Sequence, residues 1–164
     1  MKRIIIIRGP AGIGKSTVGK LLKKKLGDSQ LFNLDIICHD MLGGHPKEKE
    51  IRYAAHELCY LAVKKTPKTN LIFERLFLFQ DDIDHILKLF SKSKYKVNII
   101  TLKASVAKLI KQDSKREGAL GSDDIKRLHR HFINSNVKNP GKIIEVRNKG
   151  AKKIVDEIIN YLDE

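Results

Sequence analysis

The chain has 164 residues and a mass of 18.7 kDa, a length that suits one folded domain of ordinary size. Hydrophobic residues make up 41% of it, as in globular proteins, but they come in runs of only a few residues, which excludes a membrane-spanning helix. The 33 Lys and Arg exceed the 19 Asp and Glu by a formal net charge of +14, which favours an anionic partner such as a nucleotide, a nucleic acid or an acidic lipid.

Short β-branched runs alternate with helical periodicity along the chain, a pattern typical of α/β proteins with a parallel sheet. The predicted strands are Arg3–Arg8, Leu31–Leu34, Asn70–Phe73, Lys96–Leu102 and Lys142–Val146. The predicted helices are Lys15–Leu26, a brief one around Ile36–Leu42 and one after Pro46. The helix after Pro46 is expected to turn Ile51, Ala54, Ala55, Leu58 and Ala62 inward. Further helices are predicted from about Asp81, from near Ser105, from the N-cap Ser122 and from Ala151. We expect one domain over residues 1–164, with a three-layer α/β/α architecture and a five-stranded parallel sheet.

Two features of the sequence bear on the compartment. Cys38 and Cys59 are too few for a disulfide framework and are typical of buried thiols in a reducing environment. The apolar stretch near the start is only four residues long and is followed by Arg8, so it does not make a targeting segment. We therefore expect a cytoplasmic protein.

The most specific pattern in the chain is G-x-x-x-x-G-K-[ST], matched in full by Gly9-Pro10-Ala11-Gly12-Ile13-Gly14-Lys15-Ser16 and followed by Thr17. A β-branched strand precedes it and an amphipathic helix follows it, which is the context the pattern requires. Glycines let successive N–H groups curl around phosphate oxygens, and the helix N-terminus adds free donors. Lys15 should reach the β- and γ-phosphates, and the hydroxyl of Ser16 should ligate Mg²⁺. The sequence therefore predicts a P-loop that binds a nucleoside triphosphate.

Three classes of protein use such a loop: GTPase switches, motor ATPases and kinases. A guanine-binding N-K-x-D would start at Asn148, but Ala151 stands in place of its aspartate. A D-x-x-G occurs at Asp40, but it follows no suitable strand. Motor ATPases usually need a longer core and a clear Walker B acidic strand end, whereas the third strand here ends in Phe73-Glu74. A small phosphotransferase remains.

Polar residues at strand ends are the candidates for the acceptor side, because ligands of doubly wound sheets bind beyond the carboxyl ends of the strands. Asp35 follows the second strand, where it could orient an acceptor hydroxyl and take its proton, although it could also cap the following helix. Glu74 could hold a Mg²⁺-bound water or contact the acceptor, and Arg75 could contact the acceptor, but a structural salt bridge is the alternative for both. Asn148 follows the fifth strand.

A basic segment between two predicted helices, residues 111–121, is the candidate for a lid that closes over ATP and excludes water. Arg116 is the best candidate in it for neutralising charge in the transition state, because a guanidinium matches phosphate oxygens. Arg127 and Arg130 are weaker candidates, and all three could be ordinary surface charges. The six histidines show no spacing that suggests a metal site.

The sequence resembles the AAA-type small P-loop kinases that include the chloramphenicol phosphotransferase-like, zeta-toxin-like and polynucleotide kinase families. Phe32-Asn33-Leu34-Asp35 looks like the strand ending that carries their acceptor-binding aspartate, and Leu71-Ile72-Phe73-Glu74 looks like their third strand, with Glu where Asp is commoner. The run from Leu109 to Arg116 is similar to the lid entrance of phage-type polynucleotide kinases, with Gln112 where a second arginine is usual. The resemblance implies a nucleotide-kinase-like strand order and places the adenine near Asn148.

The resemblance and the residues together predict a kinase that uses ATP and Mg²⁺ and phosphorylates a hydroxyl, most readily that of a small molecule or nucleoside. A polynucleotide 5′-hydroxyl is a less favoured acceptor, because Ile36-Ile37-Cys38-His39 stands where polynucleotide kinases carry an acceptor-binding arginine, and because aromatic residues make up only 6% of the chain. A nucleotide-binding regulator without enzymatic activity is the alternative from another class.

Overall fold

The structure is a computed structural model that describes residues 1–115 and 117–164, and in these it contains one five-stranded parallel sheet with helices on both faces. The strands are β1 (Lys2–Arg8), β2 (Ser29–Asn33), β3 (Asn70–Arg75), β4 (Tyr95–Lys103) and β5 (Lys142–Glu145). The helices are α1 (Lys15–Leu26), α2 (Leu34–Ile36), α3 (Lys49–Lys65), α4 (Gln80–Leu89), α5 (Val106–Asp113), α6 (Ser122–Ile133) and α7 (Ala151–Asp163), and α2 continues as a π-helical segment, Ile37–Met41.

The strand order is β2-β3-β1-β4-β5, which confirms the predicted parallel α/β fold with a nucleotide-kinase-like order. The central strand β1 pairs with β3 on one side, from Arg3 opposite Asn70 onward, and with β4 on the other, from Lys2 opposite Tyr95 onward. Residues 4–7 of β1 are fully buried, because helices cover both faces of a parallel sheet. Every strand therefore delivers its carboxyl end to one edge of the sheet.

The sheet separates two hydrophobic cores. Ile4, Ile6 and Phe73 face α3 and α4, whereas Ile5 and Ile7 face α1 and α7. Side chains alternate along a strand, so residues at the carboxyl end of a strand also face one helical layer or the other. We call these two sides the α3/α4 face and the α1/α7 face.

The prediction for the helix after Pro46 is confirmed at Ala55, and Ile51 and Leu58 pack against the core, but the fully buried stripe is rotated from the predicted one. Its buried residues are Arg52, Ala55, His56, Cys59 and Val63, whereas Ile51, Ala54 and Leu58 are only partly buried and Ala62 is exposed. Hydrophobic periodicity predicts the neighbouring stripe because two of the buried residues, Arg52 and His56, are polar. Both contact polar residues of α4. A smaller correction concerns α6, whose N-cap is Gly121 and not Ser122.

Helix α1 has the predicted bounds, from Lys15 to Leu26, and ends at Gly27 with a positive φ of 73°. Val18 and Leu22 are buried on its inner side. Within the described residues, no helix combines the length and the apolar character that crossing a bilayer requires.

Candidate functional site

The loop between β1 and α1 curls at two glycines with left-handed backbone. Gly12 has φ 78° and Gly14 has φ 94°, values that side-chain-bearing residues rarely adopt. Gly14 is the N-cap of α1 and offers no side chain to the first turn. The amide groups at the start of α1 therefore have no side-chain cap from this position, which is the arrangement that an anion-binding helix N-terminus needs.

Lys15 lies at the start of α1 and reaches back over the loop. Its Nζ donates a hydrogen bond to the carbonyl oxygen of Pro10 at 3.0 Å. The side chain is partly buried, whereas Ser16 and Thr17 after it are exposed. The ammonium group is thus held across the loop against the loop's own backbone.

Ser16 belongs to a polar cluster with residues from the two neighbouring strands. Asn33, at the end of β2, donates from Nδ2 to Oε1 of Glu74 at 2.7 Å and lies 3.4 Å from Oγ of Ser16. Glu74 is only 3% exposed, and its burial raises the pKa of the carboxyl. Hydrogen bonds from Ser16 and Asn33 and the positive charge of Lys15 act in the opposite direction and lower the pKa, but burial has the larger effect. The cluster joins the P-loop to the ends of β2 and β3.

The donor chemistry of the same cluster fits Mg²⁺. The ion prefers oxygen ligands and is held in phosphate-transferring enzymes by few protein groups, together with water and phosphates. The hydroxyl of Ser16 and the carboxylate of Glu74 supply such oxygens, and a cation would compensate the buried charge of Glu74. Within the described part of the chain, no group of three or more His, Cys, Asp or Glu could form a metal site of its own.

A second cluster lies on the other side of the sheet, on the α3/α4 face. Arg75 ends β3 and donates from Nε to Oδ1 of Asp35 at 3.0 Å, and from Nη2 to the carbonyl oxygen of Pro46 at 2.6 Å. Its Nη1 lies 3.5 Å from Oδ2 of Asp82. Arg75 is 8% exposed, whereas the side chain of Asp35 is 49% exposed. The arginine therefore anchors Asp35 from below and leaves its carboxylate accessible.

Arg52 completes this cluster from α3. Its Nε donates to Oδ1 of Asp82 at 2.8 Å, and its Nη1 donates to the carbonyl oxygen of Lys47 at 2.7 Å. Both Arg52 and Asp82 are almost fully buried. The segment before α3 is thus fixed to the site through its backbone carbonyls, and Asp82 balances two guanidinium groups.

Arg8, the last residue of β1, is buried on the same face. It donates from Nε and Nη2 to the carbonyl oxygen of Phe77 at 3.3 and 3.2 Å, and from Nη2 to Oγ of Ser135 at 2.9 Å. Its guanidinium lies 4.7 Å from the ring centroid of Phe132, and burial lowers the pKa of Arg8 to about 10. Phe77 has a positive φ of 46°, so this bond supports a strained turn.

Helices α5 and α6 approach the P-loop from the side of the predicted lid. A Cβ on Gly12 would lie 3.3 Å from the carbonyl oxygen of Leu109, and one on Gly14 would lie 3.7 Å from Nε2 of Gln112. The buried Asp113 accepts a hydrogen bond from the N–H of Gly121 at 3.0 Å, which closes the connection between the two helices. Arg116 lies outside the described residues, so its assigned role stays a prediction.

The remaining predicted residues do not join these clusters. Asn148 is exposed in the turn after β5, and its side chain makes no hydrogen bond to another described residue. Arg127 pairs with Asp124 on its own helix at 2.7 Å, and Arg130 is exposed. Arg127 therefore has the geometry of an ordinary surface ion pair.

Comparison with known proteins shows the family of the chain. A family model described as an AAA domain (AAA_33) matches residues 4–135, which include the P-loop, Asp35, Glu74 and the lid segment. The chain belongs to this AAA domain family. A search of the curated proteins finds no match for the chain.

Solved structures share the fold of this AAA domain at low sequence identity. The APS kinase of Mycobacterium tuberculosis, solved with AMPPNP and APS, is 14% identical with a TM-score of 0.71, and the match covers 99% of this chain and 98% of that one. The tunicamycin resistance protein of Deinococcus radiodurans is 14% identical with a TM-score of 0.71, over 99% and 96%. A gluconokinase of Sinorhizobium meliloti 1021 is 16% identical with a TM-score of 0.67, over 94% and 88%. The AAA domain thus has the fold of the small P-loop kinases.

Sequence reasoning missed several residues that build the site of this AAA domain. Asn33 is the last residue of β2, two residues before Asp35, and the rule for strand ends could have identified it as a site residue. Asp82 lies in the first turn of α4, where the helix dipole favours an acid in any case, so its position gives no sign of a buried arginine partner. Arg8 and Arg52 carry no local signal, because their partners lie far away in the sequence.

Proposed function

We propose that this protein is a kinase that transfers the γ-phosphoryl group of ATP, with Mg²⁺, to a hydroxyl group of a small molecule or nucleoside. The observation that carries the proposal is a pair of sites at one sheet edge: the P-loop after β1, and after β2 a carboxylate, Asp35, that is anchored but half exposed. A regulator that only binds nucleotide would not need the second site.

On the nucleotide side, we assign phosphate binding to the loop residues 9–17. Lys15 would exchange its bond to Pro10 for a phosphate oxygen, and Ser16 with Glu74 would hold Mg²⁺, Glu74 through a water molecule. Bound Mg²⁺ would neutralise charge on the transferring phosphoryl group. Glu74 faces Ser16, so its geometry favours this role over the acceptor contact that the sequence also allowed.

On the acceptor side, we assign the catalytic role to Asp35. Its carboxylate can accept a hydrogen bond from the acceptor hydroxyl, orient the oxygen towards the γ-phosphorus and take the proton as the bond to phosphorus forms. Arg75 holds Oδ1 of Asp35 and keeps the carboxylate in place. Arg75 is then a positioning residue, buried beneath Asp35, although contact with an acceptor stays a prediction.

Three further assignments complete the proposal. Residues 111–121 act as the lid, with Arg116 contacting the phosphates, and Asn148 lies near the adenine. The whole chain works as one kinase domain. The protein acts in the cytoplasm, which agrees with the two free, buried cysteines, Cys38 and Cys59.

The test is transfer from γ-labelled ATP to a panel of hydroxyl compounds that includes sugars, nucleosides, aminoglycoside-like alcohols and 5′-hydroxyl oligonucleotides. We expect labelled product with a small acceptor, abolished by EDTA. Label on the oligonucleotide alone would show that the acceptor is a polynucleotide 5′-hydroxyl and not a small molecule. ATP binding without transfer or hydrolysis across the panel would indicate a regulator.

A further inference from the structure

A groove rich in lysine lies at the edge of the sheet where the strands begin. One cavity of about 500 Å³ is lined by Lys2, Lys64, Lys92, Lys94, Tyr60 and Tyr95, among others. A second cavity of about 440 Å³ shares Tyr60 and Lys92 with the first and adds Lys88 and His85. The two cavities lie side by side, because they share Tyr60 and Lys92, and together we call them the amino-edge groove.

The groove is remote from the P-loop. Lys2 begins β1 and is paired with Tyr95 at the beginning of β4, whereas the P-loop starts after the last residue of β1, Arg8. A strand of this length spans about 20 Å at ~3.3 Å per residue. The groove therefore lies at the opposite edge of the sheet from Lys15 and Asp35, and no step of the proposed kinase reaction uses it.

The lysines of the groove have no carboxylate partner among the described residues, although Glu57 lies 3.9 Å from His85 at one end. No acidic residue lines either cavity, and among the described residues none of the five groove lysines, Lys2, Lys64, Lys88, Lys92 and Lys94, forms an ion pair with a carboxylate. Elsewhere, lysines such as Lys25, Lys68 and Lys149 do form such pairs. Five like charges concentrated in one depression repel each other, and a polyanion in the groove would relieve that repulsion.

Aromatic rings form part of the groove wall. Tyr60 and Tyr95 both pack edge-on against the buried Phe90, with centroid distances of 5.2 and 5.9 Å, so their positions are fixed from behind. Lys64 lies 5.6 Å from the ring centroid of Tyr60, and Lys2 lies 5.7 Å from that of Tyr95. Positive charge combined with aromatic side chains in one groove is typical of proteins that hold single strands of nucleic acid.

We propose that the amino-edge groove binds single-stranded nucleic acid through its phosphate backbone. A compact anion would fill only one of the two cavities, and a flat membrane surface would not enter a concave groove, whereas a flexible strand can follow both cavities. Lysines suit this task because they act as point charges on phosphates without reading sequence. The site is separate from the kinase centre and does not depend on the proposed acceptor.

The test compares two triple variants of the full chain that lose the same number of charges. Lys64→Gln/Lys92→Gln/Lys94→Gln changes the groove, and Lys23→Gln/Lys152→Gln/Lys153→Gln changes exposed lysines on α1 and α7. Binding of fluorescent 20-nucleotide oligo(U) and oligo(dT) is followed by anisotropy over a range of salt concentrations. MgATP affinity, measured in parallel, shows that each variant is folded.

We expect the groove variant to lose at least tenfold in affinity for one or both oligonucleotides and the control variant to lose less than threefold. The slope of log affinity against log salt should decrease by about 2 in the groove variant, since each lost contact to a single strand contributes ~0.7. Equal losses in both variants, absence of oligonucleotide binding by the wild type, or displacement of the oligonucleotide by MgATP would overturn the proposal. Binding to vesicles with 30% phosphatidylserine but not to oligonucleotides would overturn it in favour of a membrane surface.

Discussion

Lys15 follows β1 and Asp35 follows β2, two strands that flank β3 in the sheet, and the two residues carry the two halves of the proposed reaction. The ammonium of Lys15 is held across the P-loop by the carbonyl of Pro10, and the carboxylate of Asp35 is held by Arg75. The first side chain is positioned by its own loop, and the second by a different strand. Substitutions at the two residues should therefore affect different measurements.

Lys15→Ala should weaken ATP binding at least tenfold and abolish turnover, because it removes the ammonium that pairs with the β- and γ-phosphates. Isothermal titration with an unhydrolysable ATP analogue and a phosphate-release assay measure the two effects. Lys20→Ala, an exposed change on the same helix, is the matched control and should bind ATP like the wild type. Unchanged affinity and turnover in Lys15→Ala would remove the P-loop from the proposed site.

Asp35→Asn should lower phosphoryl transfer by about 10²- to 10⁴-fold while ATP affinity stays within a few-fold, because it removes the group that takes the proton from the acceptor. Asp40→Asn, an exposed change in the π-helical segment, serves as the control. Both are measured with the acceptor that the labelled-ATP panel identifies. Transfer at the wild-type rate in Asp35→Asn would show that the proton goes elsewhere.

Local patterns predicted the nucleotide half of the site, because the P-loop is one continuous segment with a fixed pattern of residues. The acceptor half was predicted only in part. The role of Asp35 is predicted from its place after a strand. For Arg75 the sequence predicts contact with the acceptor, and it offers a structural salt bridge only as the alternative. Arg52 and Asp82 could not be paired from sequence, since 30 residues separate them.

Helices α3 and α4 pack through a charged pair, and this explains the rotation that the sequence analysis missed. Arg52 and Asp82 take core positions that an apolar stripe would otherwise fill. A buried guanidinium is tolerated only with a paired carboxylate and further hydrogen bonds, which Asp82 and the carbonyl of Lys47 supply. Hydrophobic periodicity cannot detect a core position filled by such a pair.

The same two helices offer a test of what burial adds to an ion pair. Arg52→Ala should destabilise the protein by about 3–5 kcal/mol, because it leaves Asp82 buried with one of its two cations removed. Lys49→Ala removes the exposed partner of Asp81, which lies next to Asp82 in sequence, and should cost at most about 1 kcal/mol. Urea unfolding of both variants gives the comparison. A cost below about 1 kcal/mol for Arg52→Ala would show that the buried pair contributes little.

At the scale of the whole molecule, alternation of strand and helix predicted the layers and the parallel sheet correctly. The strand ends moved by one or two residues, as for β2, which runs from Ser29 and ends before Asp35. Strand ends depend on hydrogen bonds to neighbouring strands, so they cannot be obtained from a single segment. The order of the strands came from the resemblance, since periodicity carries no information on which strands are neighbours.

Acid should destabilise the fold through His56, which is 1% exposed between α3 and α4 and lies 3.1 Å from His85, Nδ1 to Nδ1. Burial, together with His85, Arg75 and Arg52, lowers the pKa of His56 to about 3. The unfolded chain, with a histidine pKa of ~6.5, takes up the proton first. The contribution of His56 to the free energy of unfolding is therefore complete above pH ~6.5 and is lost as the pH falls towards 3. At pH 5 the loss is about 2 kcal/mol.

Urea unfolding at pH 7.5 and pH 5.0 measures this loss. His56→Gln should lose about 2 kcal/mol less than the wild type between the two pH values, because the titrating group is gone. His131→Gln, an exposed change on α6, should keep the wild-type dependence. Identical pH dependence in wild type and His56→Gln would show that acid acts on other groups.

Helix α6 is fastened at both ends, with a consequence for how the two halves of the site communicate. Its start is tied to α5 by the bond from Gly121 to Asp113, and the chain beyond its end is tied by Arg8 and Ser135 to the turn at Phe77. A movement of α6 towards a bound nucleotide would displace the turn at Phe77, which is followed directly by α4 and Asp82. Helix α6 therefore joins the surroundings of the P-loop, through α5, to the turn before α4, whose Asp82 contacts Arg75 beneath Asp35.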